Sequence, residues 1–127
     1  MNIKSSKELV EEANKEIKVL SAEEVKSSYE KGDITLIDIR DIRELWKDGT
    51  IKNSIHIPRG MLEFWLDPDS AYFKQGKLDL NKEIVLFCAG GLRSALAAKS
   101  LNDMGFEKVS HIDGGFAAIK KSKFKIV

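Results

Sequence analysis

Apolar and polar residues follow two rhythms along this chain, short apolar runs and stretches of helical spacing. Ser5 to Glu16 reads as a short, highly charged helix with Leu9, Val10 and Ala13 on one side, and Ile17 to Leu20 as a short strand. Ser21 and Glu24 have capping-box spacing, which opens a helix to about Tyr29 that Lys31-Gly32-Asp33 stops. Ile34 to Ile39 is a nearly continuous apolar run, as expected of a strand buried on both faces of a parallel sheet. Asp41 to Trp46 is a helical segment ended by Asp48-Gly49, and Ser54 to Ile57 a strand closed by Pro58. Gly60 to Leu66 has helical spacing, Asp67-Pro68-Asp69-Ser70 is a turn, and the stretch on to Asn81 is irregular.

The clearest unit follows. Glu83 to Phe87 is a buried strand, Cys88 to Arg93 a glycine-containing loop, and Ser94 to Met104 an alanine- and leucine-rich helix closed by Gly105. Lys108 to Ile112 is a further strand, then come Asp113-Gly114-Gly115 and a last helix from Phe116. Strands alternating with helices predict an α/β domain with a mostly parallel central sheet and helices on both faces. Residues 1–16 read as a helical extension that packs on the domain or frays, and residues 17–127 as the domain itself.

Composition narrows the function classes. The 127 residues suit one core, and 43% hydrophobic with 32% charged residues is ordinary for a globular protein. A formal net charge of +1 gives no reason to expect nucleic acid or an anionic membrane as partner. No apolar run reaches the ~18 residues of a membrane span. Met1 to Glu16 has no apolar stretch like that of a secretory signal, so the cytoplasm is the expected compartment. The single cysteine cannot form an internal disulfide. His56 and His111 have no Cys or His at ligand spacing, so neither a metal nor a cofactor is expected. His111, in a strand, reads as packed or hydrogen-bonded.

Ligands of parallel sheets sit at the carboxyl ends of the strands, and Cys88 falls there, directly after Phe87 and before a helix. Gly90 and Gly91 let the loop curl with its N–H groups inward. The helix start adds roughly half a positive charge, and Arg93 a full one. All favour an anion at the loop's centre, so the thiol is expected to fall from its usual ~8.5 toward thiolate at neutrality. A lone cysteine is more often a small packed apolar residue, but the order strand, Cys, Gly-Gly, Arg, helix favours a nucleophile.

Cys88-Ala89-Gly90-Gly91-Leu92-Arg93 resembles the active-site loop of the rhodanese family, in which cysteine and arginine enclose four residues. Leu36-Ile37-Asp38-Ile39-Arg40 resembles the family's early strand. Glu44, Gly49-Thr50-Ile51 and Ser54 to Pro58 resemble its next signature, and Asp113-Gly114-Gly115-Phe116 its closing turn. The match runs from about Leu20 to Ile119. Thr50 stands where many members have histidine and Ile119 where many have tryptophan, both read as packing positions. The resemblance implies a sulfurtransferase: Cys88 takes sulfane sulfur from thiosulfate or a persulfide. It then passes that sulfur to cyanide, glutathione or a protein thiol, with Ala89, Gly90, Gly91, Leu92 and Arg93 binding the sulfur. Two other readings stand beside it. One is a non-catalytic binding module, disfavoured by the presence of Cys88 and Arg93. The other is a cysteine phosphatase or arsenate reductase, disfavoured because its loop resembles this one with one more residue.

Arg59 is placed at the pocket rim or in solvent, and Asp38 with Arg40 as an ion pair or cap rather than site residues. Met61, Phe64, Trp65, Tyr72 and Phe73 read as core under a long loop, with a wall at the entrance as the alternative. Lys120, Lys121, Lys123 and Lys125 read as a solvated basic end. The oligomeric state is not legible.

Overall fold

The computed structural model describes residues 1–73 and 78–127. In chain order the elements are α1 (Ser6–Glu16), β1 (Lys18–Leu20), α2 (Ala22–Glu30), β2 (Ile34–Asp38), α3 (Ile42–Asp48) and β3 (Ile55–His56). A 3-10 turn (Arg59–Met61) then leads into α4 (Leu62–Leu66), β4 (Glu83–Phe87), α5 (Leu92–Asp103), β5 (Val109–Ile112) and α6 (Gly115–Lys121). The irregular stretch expected before Asn81 lies partly outside the described residues.

The five strands form one sheet in the order β1-β5-β4-β2-β3, every pairing parallel. The two-residue side-chain period splits each central strand between two cores. Ile37, Ile84 and Leu86 point toward α1, α4 and α5, with Ala13, Leu62, Leu66, Ala95, Ala98 and Leu101. Leu36, Val85 and Phe87 point toward α2 and α6, with Val25, Phe116 and Ile119. The fold is therefore α/β with helices on both faces. The extension α1 contributes Ala13, fully buried, to the first core. Among the described residues no helix is long and apolar enough to cross a membrane.

Capping fixes the helix starts. Ser21 and Glu24 form the expected capping box on α2, and Asp41 with Glu44 forms a second on α3. The structure moves one boundary that matters for the site: α5 begins at Leu92, two residues earlier than expected, with Gly91 (φ +99°) as its N-cap. Leu92 and Arg93 thus belong to the first helical turn.

Asp38 and Arg40 are an ion pair inside the protein, 2.8 Å apart with side chains 0% and 1% exposed. Buried charges persist only when their donors and acceptors are matched. Here Thr50 donates to Asp38 Oδ2 (2.7 Å), Arg40 donates to the Gly49 carbonyl (2.8 Å), and the guanidinium stacks 4.0 Å from the Phe116 ring centroid. Thr50 is thus a hydrogen-bonding position rather than a packing one, while Ile119 is fully buried. The aromatic segment divides: Trp65 packs against the core, whereas Phe64 and Tyr72 are exposed and meet edge to face at 6.4 Å. Burial as core therefore holds only for part of it.

Candidate active site

β4 ends at Phe87, and the chain turns through Ala89, Gly90 and Gly91 straight into α5. Residues in the first turn of a helix have N–H groups without intrahelical partners. An N-cap side chain usually accepts from one of them, but Gly91 has none. The Cys88 sulfur takes that place. Sγ accepts from the Ser94 N–H, the third residue of α5, at 3.4 Å and from the Gly91 N–H at 3.1 Å. The thiol in turn donates to Ser94 Oγ at 3.4 Å. Cys88 is 1% exposed and Ser94 fully buried. The flanking Ala89 and Gly90 are exposed, as is Leu92.

The loop is clamped from below by the Asp113-Gly114-Gly115 turn. The Phe116 N–H donates to the Cys88 carbonyl at 2.8 Å, and the Ala117 N–H faces the Ala89 carbonyl at 3.4 Å. Gly115 (φ +56°) lies so close that a Cβ would come within 2.7 Å of the Ala89 carbonyl carbon. This contact explains the second glycine of the turn.

Arg93 occupies the second position of α5, but its guanidinium is not a free anion receptor. It makes a two-pronged ion pair with Glu44 on α3, Nη1–Oε2 2.8 Å and Nη2–Oε1 3.0 Å. Hydrogen bonding to Arg93 holds the Glu44 carboxyl below its usual range, and Glu44, followed by the Cys88 charge, raises Arg93. Arg59 is paired with Glu63 at 3.2 Å. The two cations expected to receive an anionic donor are thus both held by glutamates.

Beside Leu92 and Arg93 runs a groove of about 400 Å³ between α1 and α5, lined by Lys7, Val10 and Leu96 among others. A larger depression, about 690 Å³, opens at the opposite, amino end of the strands among charged side chains including Lys18, Glu83 and Lys108. It lies at the wrong end of the sheet for this loop's chemistry.

Three participants were not picked out from the sequence: Ser94, Glu44 as the partner of Arg93, and His111. Ser94 Oγ lies 2.8 Å from His111 Nδ1, and His111 Nε2 lies 2.9 Å from Asn14 Oδ1. His111 is hydrogen-bonded, as its strand position suggested, and burial pushes its pKa down. His56 is engaged elsewhere, 2.6 Å from the Arg40 carbonyl oxygen. Among the described residues no group of three His, Cys, Asp or Glu side chains gathers as metal ligands would.

A buried cysteine that caps a helix at the carboxyl end of a parallel sheet places the protein among α/β domains with a cysteine loop. The model of the rhodanese-like domain matches residues 21–122, and the chain belongs to that family. A protein of Rhodopseudomonas palustris described as of unknown function and a possible tyrosine phosphatase is 43% identical, with TM-score 0.91 over 100% of this chain and 97% of that one. The polysulfide-sulfur transferase homodimer of Wolinella succinogenes is 35% identical, with TM-score 0.75 over 95% of this chain and 85% of that one. The tRNA uridine(34) hydroxylase of Cronobacter sakazakii is 34% identical over 96 residues, which are 76% of this chain. The matched part is only 26% of the hydroxylase, about a quarter of its length.

Proposed function

We propose that the protein is a sulfurtransferase that carries sulfane sulfur as a persulfide on Cys88. The observation that carries this reading is the sulfur's seat, where two backbone N–H groups donate to Sγ and Ser94 Oγ accepts the thiol hydrogen in a space closed to solvent. Hydrogen bonds to an anion stabilise it, and a helix start adds to them. The Cys88 thiolate attacks the outer sulfur of a donor, the donor's S–S bond breaks, and the leaving thiolate or sulfite takes the electron pair. An acceptor thiol or cyanide then removes the outer sulfur and restores Cys88. With one cysteine in the chain, that acceptor comes from outside. The polysulfide-sulfur transferase of Wolinella succinogenes supports this chemistry by its likeness.

Phosphatase activity has a relative's description in its favour. Against it stands the loop, with four residues between Cys88 and Arg93 and an arginine already bound by Glu44. A phosphoryl group needs several oxygens to be received. The hydroxylase relatives share a quarter of their length with this chain, which supports a common rhodanese-like part and not hydroxylation.

Intact-mass measurement after exposure to thiosulfate or glutathione persulfide tests the reading. One sulfur atom, about 32 Da, should be gained by the wild type and not by Cys88→Ser, and dithiothreitol should remove it. Serine is nearly isosteric but forms no alkoxide near neutrality, so transfer by the variant should fall below about 1% of wild type with the fold retained. No adduct on the wild type, together with turnover of p-nitrophenyl phosphate, would replace sulfur with phosphate.

A further inference from the structure

Cys88, Ser94 and His111 are all buried, yet they connect by hydrogen bonds to Asn14, an exposed residue of α1. The links run from Cys88 Sγ to Ser94 Oγ (3.4 Å), from Ser94 Oγ to His111 Nδ1 (2.8 Å), and from His111 Nε2 to Asn14 Oδ1 (2.9 Å). Their polarity is set at the far end. A carbonyl oxygen can only accept, so Asn14 holds the hydrogen on Nε2 and leaves Nδ1 with a lone pair. Ser94 then donates to Nδ1 and accepts from the Cys88 thiol. Along the side-chain links the hydrogens thus run outward, from sulfur to serine, serine to histidine and histidine to asparagine.

We propose that Ser94, His111 and Asn14 form a proton relay that takes the Cys88 thiol proton and returns it, with His111 acting on the nucleophile through Ser94. This rests on the reading of Cys88 as the nucleophile. As the S–H proton passes to Ser94 Oγ, the Ser94 proton passes to Nδ1, leaving thiolate and imidazolium with no net change of charge. The thiolate bonds to the donor's outer sulfur, and the donor's inner sulfur leaves with the electron pair of the broken S–S bond. When an acceptor thiolate takes that outer sulfur, the pair of the second S–S bond returns to Cys88 and the proton returns along the same path. No oxidant or reductant is needed. Ser94 touches the reacting sulfur and is catalytic, whereas His111 and Asn14 are positioning residues.

The surroundings suit a histidine that is neutral at rest. β4 presents Leu86 and β1 Val19 in register with His111, while α5 presents Ser94 and α1 Asn14, all four uncharged. Asp113, at the end of β5, is the charge among the described residues that acts to raise it, against the larger effect of burial. The relay also gives α1 a role in the chemistry. The Rhodopseudomonas palustris relative, matched over the whole chain, aligns through this helix as well.

The test is the pH profile of Cys88 alkylation by iodoacetamide, which uses no sulfur donor and so stands apart from whether sulfur is transferred. Asn14→Asp is the decisive variant because Asn14 is exposed and aspartate has nearly the same shape. Acting only through space, an added negative charge would disfavour the thiolate and move the alkylation midpoint up. Acting through the relay, a carboxylate on Nε2–H makes Nδ1 a better proton acceptor and moves the midpoint down, by roughly half a pH unit or more. His111→Gln keeps a hydrogen bond to Ser94 but takes no proton, and its midpoint should rise by a similar amount. An unchanged or raised midpoint in Asn14→Asp overturns the relay, whatever His111→Gln does. Adduct formation after thiosulfate or glutathione persulfide, measured on the same samples, reports the sulfurtransferase reading separately.

Discussion

Glu44 and Arg93, 49 residues apart in sequence, face each other in a two-pronged ion pair at 2.8 and 3.0 Å. Glu44 also closes the capping box of α3 through the Asp41 N–H, so one carboxylate both starts that helix and anchors the arginine beside the sulfur. The pair holds the charge of Arg93 near Cys88 while cancelling part of it.

Removing either partner should therefore act on Cys88 in opposite directions. Arg93→Ala leaves Glu44 uncompensated, which should raise the iodoacetamide alkylation midpoint by roughly half a pH unit and slow persulfide formation. Glu44→Gln leaves the arginine charge unmatched and should lower the midpoint. Both side chains are partly exposed, 41% for Arg93 and 32% for Glu44, so either change should cost under about 1 kcal/mol of stability. Shifts of the same sign in both variants would show that the pair acts on loop shape rather than on charge.

Gly115→Ala should be far more damaging than its size suggests. The position has φ +56°, and a Cβ would press on the Cys88–Ala89 backbone. Loss of about 2 kcal/mol or more is expected, with sulfur loading reduced because the loop must shift. Gly105→Ala is the control: it also has positive φ, but no atom lies within 4 Å of its added Cβ. It should show backbone strain alone and leave sulfur loading intact. Denaturant melts of the two variants, compared with adduct yield, separate contact from strain.

The elements themselves were legible in the sequence because their signals are local. Ser21 and Glu24 are three residues apart, and the Ile34–Ile39 run carries its own evidence of burial. Asp41 and Glu44 have that same spacing, and in the structure they form the same kind of capping box on α3. The sequence puts Cys88 in a loop between a strand and a helix, as the structure does, but the N–H groups that reach its sulfur are those of Gly91 and Ser94 in particular. The helix that the sequence starts at Ser94 begins at Leu92 instead and spends the Ser94 N–H on the sulfur. The contacts of Glu44 with Arg93 and of His111 with Asn14 could not be read at all. They span 49 and 97 residues and exist only because the sheet order sets β2 beside β4, which brings α3 near the start of α5, and β1 beside β5, with α1 packed on α5.

Stability should fall with pH in two separate windows. His111 has its pKa lowered from 6.5 by burial, so the unfolded chain binds its proton first as pH falls. Its contribution is whole above 6.5 and is lost as pH drops below that value and through the lower folded one. Glu44 is lowered from 4.5, so its contribution is whole above 4.5 and lost through its own folded value. Urea melts from pH 8 down should show a first decline that His111→Gln abolishes and a later one that Glu44→Gln reduces. A first decline that survives in His111→Gln would assign it to another group.

Donor preference follows from where the positive charges are spent. A dianion such as thiosulfate needs cations at the loop, yet Arg93 is held by Glu44 and Arg59 by Glu63, while Ala89 and Leu92 carry none. A thiol persulfide has an organic body as well, and the groove beside the loop offers it Leu92, Val10 and Leu96 with Lys7 at its side. Burying even 100 Å² of apolar surface there would contribute about 2.5 kcal/mol. Thiosulfate should therefore react with a high KM that rises further with ionic strength, because the remaining attraction is between exposed charges. Glutathione persulfide should give the larger kcat/KM and depend less on salt. Leu92→Asp should reduce the persulfide value several-fold while leaving the Cys88 seat in place, since Leu92 is 67% exposed and its side chain takes no part in holding the sulfur. Steady-state rates for both donors with one cyanide acceptor decide the matter. A thiosulfate kcat/KM at or above the persulfide value would mean that the paired arginines open to admit the dianion.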